Sequence, residues 1–171
     1  MDGHTRQLPV ITEGPFEYSN YAVEYLLAAK AVAGSEAKIK QAVISASAMS
    51  LLYPPEPIAT YSREEFIEDV VRCAVKDIRL CLDEGADSVQ VDFTEGRLSL
   101  KLDPSGGLLQ QFLDLNERVF SAFSAEDLQR ILEFMYAQVP MPTALIPSIS
   151  CTLRCCHLYS RHSVVVVSTS R

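Results

Sequence analysis

One stretch constrains this chain more than any other: "YSREEFIEDVVRCAVKDIRLCLDEG", residues 61–85. Ser62, with Glu65 three positions later, has the form of a capping box, in which each residue satisfies a backbone N–H that the helix start leaves without a partner. Phe66, Val70, Ala74, Ile78 and Cys81 recur at helical spacing and make one apolar stripe. Gly85 is the expected stop, because glycine tolerates the left-handed turn that ends many helices. A long capped helix with one apolar face needs an apolar surface to lie on. The next residues, "DSVQVDF", alternate as a strand and end it at Asp92. A helix running straight into a strand predicts a parallel sheet flanked by helices.

The flanking segments repeat the rhythm. "YSNYAVEYLLAAKAVA" places Ala22, Tyr25, Leu26 and Ala29 at helical spacing. Ile39 to Ser45, within "KIKQAVISAS", is β-rich and is expected to be a buried strand, and the proline-rich "LLYPPEPIAT" a loop. "DPSGG" predicts a turn, "LLQQFLDLNERVFSAF" a helix, and Ser124 the cap of another helix over "SAEDLQRI". The expected class is α/β, with about three βα units. No glycine-rich phosphate loop of either common kind is present, so a dinucleotide or P-loop site has no direct support. In parallel α/β folds ligands sit where strands end and loops begin. Attention therefore falls on "ISASAMSLLYPP" and "VQVDFTEGR".

Composition removes several classes of function. The net charge is −7, which disfavours nucleic acid and anionic membranes as partners. No window approaches the roughly 18 apolar residues of a membrane span, and "MDGHTRQLPV" lacks a basic-then-apolar leader pattern. A cytoplasmic location is the expectation. The five cysteines are an odd number, and Cys73 and Cys81 fall inside the helical pattern, so a disulfide framework is not expected.

Asp92, at the end of an apolar run, is the leading site residue, because an acid there can hold an ammonium group or act as a base. Glu95, a further candidate substrate-binding residue, and Arg97 follow it; a surface ion pair of little energetic value is the plainer expectation for Arg97. Ser45, Ser47 and Ser50 fall where the other strand ends, and their hydroxyls or amides suit a ligand carboxylate. His4 stands alone near the N-terminus. Cys73 and Cys81 are expected to be buried small hydrophobes.

From Pro140 the rhythm stops, after a shift in composition near Leu132. The tail carries Cys151, Cys155, Cys156, His157 and His162, residue types that bind zinc; Cys151 with Cys155 and His157 with His162 could each form a pair, but the adjacent pairs crowd together and no scaffold follows. A small metal-binding module using this Cys/His tail stands as one alternative function.

"DGHTRQLP", "KQAVISASAMSLLYP", "YSREEFIEDVVR" and "GADSVQVDFTEGRLSLKLDPSGGLL" together resemble the catalytic C-terminal domain of cobalamin-independent methionine synthase, in a branch carrying Asp-Phe-Thr-Glu-Gly-Arg at a strand end. The resemblance runs from Met1 to about Ile131. It implies a TIM (β/α)8 barrel, here partial and truncated at both ends. It also implies methyl transfer from 5-methyltetrahydropteroyl-polyglutamate, a 5-methyltetrahydrofolate polyglutamate, to the sulfur of homocysteine. A zinc ion holds that sulfur as thiolate in the family. Asp92 matches the family aspartate that binds the amino group of homocysteine. His4 stands where a substrate-binding glutamate is expected, and Ser45 and Ser47 match a loop lining the site. Phe93 and Thr94 replace the Glu-Pro of the family strand end, which leaves a related thiol acceptor possible.

The metal is where the chain departs from the family. After "SAEDLQRI" the relatives carry Gly-Val-His-x-Cys-Pro-Gly-Gly-Asp, whose His and Cys bind zinc. Here "LEFMYAQVPMPTALIPS" follows, so zinc is not expected at the family site. Reading the last base of each codon with the first two of the next recovers the missing motif. Glu133-Phe134 allows Val, Phe134-Met135 allows His and Met135-Tyr136 forces Val. Tyr136-Ala137 then allows Cys, Ala137-Gln138 Pro and Gln138-Val139 Gly. Residues 1–131 are thus expected to form a partial barrel domain, and 132–171 an irregular, out-of-frame tail. A methyltransferase-like domain inactive as printed is the leading function. A non-enzymatic truncated product is the other alternative.

Overall fold

The computed structural model describes residues 8–34 and 36–134. Nine elements alternate in the order helix α1 (Val23–Ala33), strand β1 (Lys40–Ile44), α2 (Ala46–Ser50), α3 (Arg63–Asp83), β2 (Ser88–Asp92), α4 (Glu95–Leu102), α5 (Gly107–Phe120), α6 (Ala125–Leu128) and strand β3 (Ile131–Phe134). The three strands form one parallel sheet in the order β1-β2-β3. The expected α/β class is present as this small sheet with six helices.

Helix α3 is the organising element. Ser62 and Glu65 form the reciprocal capping box at its start. Gly85 follows its end with φ +75°, the left-handed conformation that only glycine adopts without strain. Phe66, Val70, Ala74, Ile78 and Cys81 all turn inward and are buried, as the stripe predicts, and Cys73 joins them. The five stripe residues pack in one cluster with Val43, Val89, Val91 and Ile131 of the sheet and Leu115 and Val119 of α5. A smaller cluster of Phe93, Leu109 and Phe112 lies alongside.

Register explains which side of the sheet is dry. Ile44 pairs with Asp92, and Asp92 with Phe134. Side chains alternate across a strand, so Val43, Val89, Val91 and Ile131 share the face under α3. Ala42, Ile44, Ser88, Gln90 and Asp92 take the other face, and none of them is buried. Parallel sheets are ordinarily covered on both faces; among the described residues this one is covered on one.

Several expectations change. The strand predicted at Ile39–Ser45 runs from Lys40 to Ile44 and is not buried throughout: it is an edge strand in which Val43 alone is buried. The first helix forms, but Leu26 is its one buried residue, and Tyr25 stands 60% exposed because α1 meets the body along a narrow line. Ser124 caps α6 through a second capping box, yet that helix is only 4 residues long. Two helices were not expected at all. Ser45 starts α2 by accepting from the backbone N–H of Ala48, and α4 occupies the stretch after Asp92, where a loop was expected. Strand β3 carries regular structure three residues past the boundary expected at Ile131. Among the described residues no helix is long and apolar enough to cross a membrane.

Candidate functional site

The carboxyl ends of β1 and β2 lie level, because Ile44 is the partner of Asp92. The chain leaves β1 through Ser45 and turns at once into α2. It leaves β2 through Phe93 and Thr94 and turns into α4, whose first residue is Glu95. Both turns place polar side chains over the strand ends, the position where ligands sit in parallel α/β folds.

Glu95 is the centre of this corner. Its residue exposure is 5%, and its Oε1 accepts from the hydroxyl of Ser45 at 2.6 Å and from the hydroxyl of Ser47. Both serines are fully buried. The Ser47 backbone N–H donates to Asn116 Oδ1 of α5 at 3.1 Å, and Ser50 donates its hydroxyl to the Ser47 carbonyl at 2.7 Å. The other carboxylate oxygen, Glu95 Oε2, is buried and has no donor among the described residues. Leaving a buried acceptor unsatisfied typically costs about 1–3 kcal/mol, and such orphans are few in native folds.

Asp92 sits beside this cluster on the open face, half-buried. Its Oδ1 accepts from Gln90 Nε2 at 2.6 Å. Gln90 Oε1 in turn accepts from Lys40 Nζ at 2.6 Å. Lys40 thus takes the amide oxygen and leaves the NH2 of Gln90 for Asp92. Among the described residues neither Asp92 nor Glu95 forms an ion pair.

The structure therefore brings Asp92, Glu95, Ser45 and Ser47 to one corner. The serine hydroxyls hold a carboxylate, but one the chain itself supplies. Glu95, one of the candidate substrate-binding residues, is buried, and Arg97 is exposed. His4 lies outside the described residues, as do Cys151, Cys155, Cys156, His157 and His162. Cys73 and Cys81 are free and buried, and burial first, then the nearby Asp77 charge, pushes the Cys81 thiol up to about 12. Such a thiol is inert as a nucleophile.

Two residues went unnoticed in the sequence. Asn116 occupies a position in the apolar stripe of Phe112, Leu115 and Val119, and a polar residue there was the available signal. Gln90 shares the period-2 face of Asp92. Nothing local in the sequence marks Glu95 as buried.

Two cavities lie elsewhere. One of about 450 Å³ is lined by Gly14, Pro15, Thr60, Tyr61, Glu65, Glu68 and Asp69. The other, about 330 Å³, lies beneath the proline-rich loop and reaches Arg63. Neither includes a residue of the serine–glutamate corner. The acids of the larger groove already have partners: Glu65 holds Ser62, Glu68 pairs with Arg118, and Asp69 accepts from Tyr61. Polar groups without partners mark a site better than volume does, so the strand-end corner is the stronger candidate.

Among the described residues no group of three or more His, Cys, Asp or Glu side chains converges as a metal site. The described side chains do not fit the zinc ion that the family resemblance implies. Compared with known proteins, the chain matches no family model, no curated protein and no solved structure.

Proposed function

We propose that this chain is part of a methionine-synthase-like thiol methyltransferase, keeping the corner that binds an amino-acid thiol and lacking the means to transfer the methyl group. The three parallel strands with one bare face are, in this reading, a segment of a TIM barrel whose bare face is the barrel interior. Asp92 holds the ammonium group of homocysteine or a related thiol, and a 5-methyltetrahydrofolate polyglutamate is the methyl donor of the intact family.

One observation supports this above the rest. Asp92 ends the central strand with a half-exposed carboxylate that Gln90 orients and no cation neutralises among the described residues. An acid so placed attracts an ammonium group and fixes its position. No step is routed through zinc, since no set of described side chains suits it.

The test is titration of the full chain with L-homocysteine, followed by backbone amide NMR. Shifts centred on Ser45, Ser47 and Asp92 are expected, with affinity falling at least tenfold in Asp92→Asn. An absence of binding, or binding indifferent to Asp92→Asn, sinks the reading. Methyl transfer to a thiol by the purified 171-residue chain overturns the inactive part of it.

A further inference from the structure

Helix α1 and the residues leading to it lie along one side of α3 as a strap. Phe16 pins the near end: its backbone N–H donates to Tyr61 and to Asp69, and its carbonyl accepts from Arg72. Farther along, the Ala22 N–H donates to Asp77 Oδ1 at 2.7 Å, and Lys30 Nζ donates to the Glu84 carbonyl at 2.6 Å. The apolar grip of α1 is slight. Leu26 is its one buried residue, while Tyr25, Leu27 and Val32 stand exposed. Gly34 ends the helix at φ +86°, a conformation glycine adopts without strain. Closing the strap leaves two polar groups badly placed. Asp77 is 5% exposed, and no cation pairs with it among the described residues. The Tyr18 hydroxyl is buried with no hydrogen-bond partner among the described residues. Both groups regain water when the strap lifts, which relieves the cost of burying them.

We propose that α1 is a pH-gated strap: it lies closed on α3 while Asp77 is protonated and lifts from Ala22 onward once Asp77 is ionised. A neutral carboxyl tolerates burial with few partners, whereas a buried carboxylate needs a counter-charge or several donors. The surroundings of Asp77 supply neither. The ionisable groups that feel its charge are Tyr18 on the strap and Cys81 on α3; burial first, and then that charge, pushes both up, so both stay neutral. Cys73 and Tyr21 lie beside Tyr18. Lys76, next in sequence to Asp77, is turned to the Tyr21 ring at 4.4 Å and to Glu17 at 3.7 Å. Arg72 is paired with Asp69, and Glu24 accepts from Asn20. Burial lifts the Asp77 carboxyl from 3.8 to about 6. Because the closed value lies above the open one, closure is firmest below about pH 4, weakens as pH rises through about 6 and weakens no further above. Local opening of one thinly packed element needs less free energy than unfolding the whole chain. The strap stands apart from the methyltransferase reading and needs no ligand.

Amide hydrogen exchange on the full chain reads the opening, with each rate corrected for the exchange of an unstructured peptide at the same pH. Protection of the Leu26–Lys30 amides is expected to be roughly tenfold or more lower at pH 7.5 than at pH 4.5. It is also expected to lie below that of the Val70–Ala74 amides of α3 at both. Asp77→Asn keeps the acceptor for Ala22 and never ionises, so its α1 amides are expected to hold their protection at pH 7.5. Protection that does not change between the two pH values, or that falls as far in Asp77→Asn as in the parent chain, overturns the proposal. So does α1 protection equal to that of α3 at both, because α1 then opens only with the whole chain. If the variant does not fold, a pH series on the parent chain decides, with the Asp77 carboxyl followed by carbon-13 NMR. Protection of α1 that stops falling once that carboxyl has titrated supports the strap, and protection that keeps falling beyond that point overturns it.

Discussion

Ser45, at the end of β1, donates its hydroxyl to Glu95, at the start of α4, across fifty residues of sequence and 2.6 Å of space. The same oxygen of Ser45 accepts from the Ala48 N–H at 3.1 Å and so starts α2. One side chain therefore ties the two strand-end turns together and shapes the wall beside Asp92.

Ser45→Ala is expected to destabilise the fold by about 2 kcal/mol, the sum of a lost helix cap and a lost hydrogen bond to a buried carboxylate. Urea denaturation followed by circular dichroism measures it. A midpoint equal to that of the parent chain shows that the link carries no stability.

Asp77 gives the fold a pH dependence on its acidic side. Burial lifts its carboxyl from 3.8 to about 6, with the backbone N–H of Ala22 pulling the other way. That N–H donates to Oδ1 at 2.7 Å and belongs to the N-cap of α1. Because the folded value lies above the unfolded one, the folded chain holds an extra proton between about pH 4 and pH 6. This group's contribution to stability is therefore complete below about pH 4, falls as pH rises through about 6, and is absent above. Asn keeps the acceptor and never ionises, so Asp77→Asn is expected to stabilise by up to about 3 kcal/mol at pH 7.5 and by little at pH 4. Thermal unfolding at the two pH values checks it, and an equal effect at both contradicts the assignment.

Asp69 acts in the opposite sense. Burial raises its carboxyl, but the hydroxyl of Tyr61, the guanidinium of Arg72 and the Phe16 N–H together bring it below the ordinary value. Tyr61 donates at 2.6 Å, and its own hydroxyl is pushed up to about 12 by burial first and then by that bond. A depressed carboxyl stabilises above its unfolded value and loses that contribution as pH falls through the folded one. Tyr61→Phe is therefore expected to cost about 1–2 kcal/mol near neutrality, with the cost shrinking below pH 4. A loss independent of pH identifies the lost hydrogen bond from the Phe16 N–H to the Tyr61 hydroxyl as the cause instead.

The tail prediction concerns the gene. Sequencing the transcript across codons 131–139 is expected to show a shifted frame, open and encoding Val-His-Val-Cys-Pro-Gly. Stop codons in that frame, or a frame lacking His-x-Cys, end the out-of-frame reading. Zinc stoichiometry on the purified chain tests the alternative: about one equivalent lost in Cys155→Ser and Cys156→Ser favours a metal-binding module in the tail.

What was legible in the sequence was whatever short-range physics decides. The capping box of Ser62 and Glu65, the stripe from Phe66 to Cys81 and the stop at Gly85 involve residues within a turn or two of one another, and each appears in the fold as expected. The end of β2 at Asp92 was equally clear, because alternation stops there. Helix α4 was not, since no side chain caps it and its leucines at 98, 100 and 102 alternate like a strand. Tyr25 follows the same rule: its spacing is helical, but whether it is buried depends on how much surface the body offers α1.

The sequence by itself thus determined the βα order, the long central helix and the acid at the strand end. Tertiary structure alone decided that Glu95 is buried, that Ser45 and Ser47 are its donors and that, among the described residues, one face of the sheet is left bare. The reason is distance along the chain. Burial of a carboxylate is set by partners nearly fifty residues away, and no local pattern of residues records which distant groups the fold will bring against it.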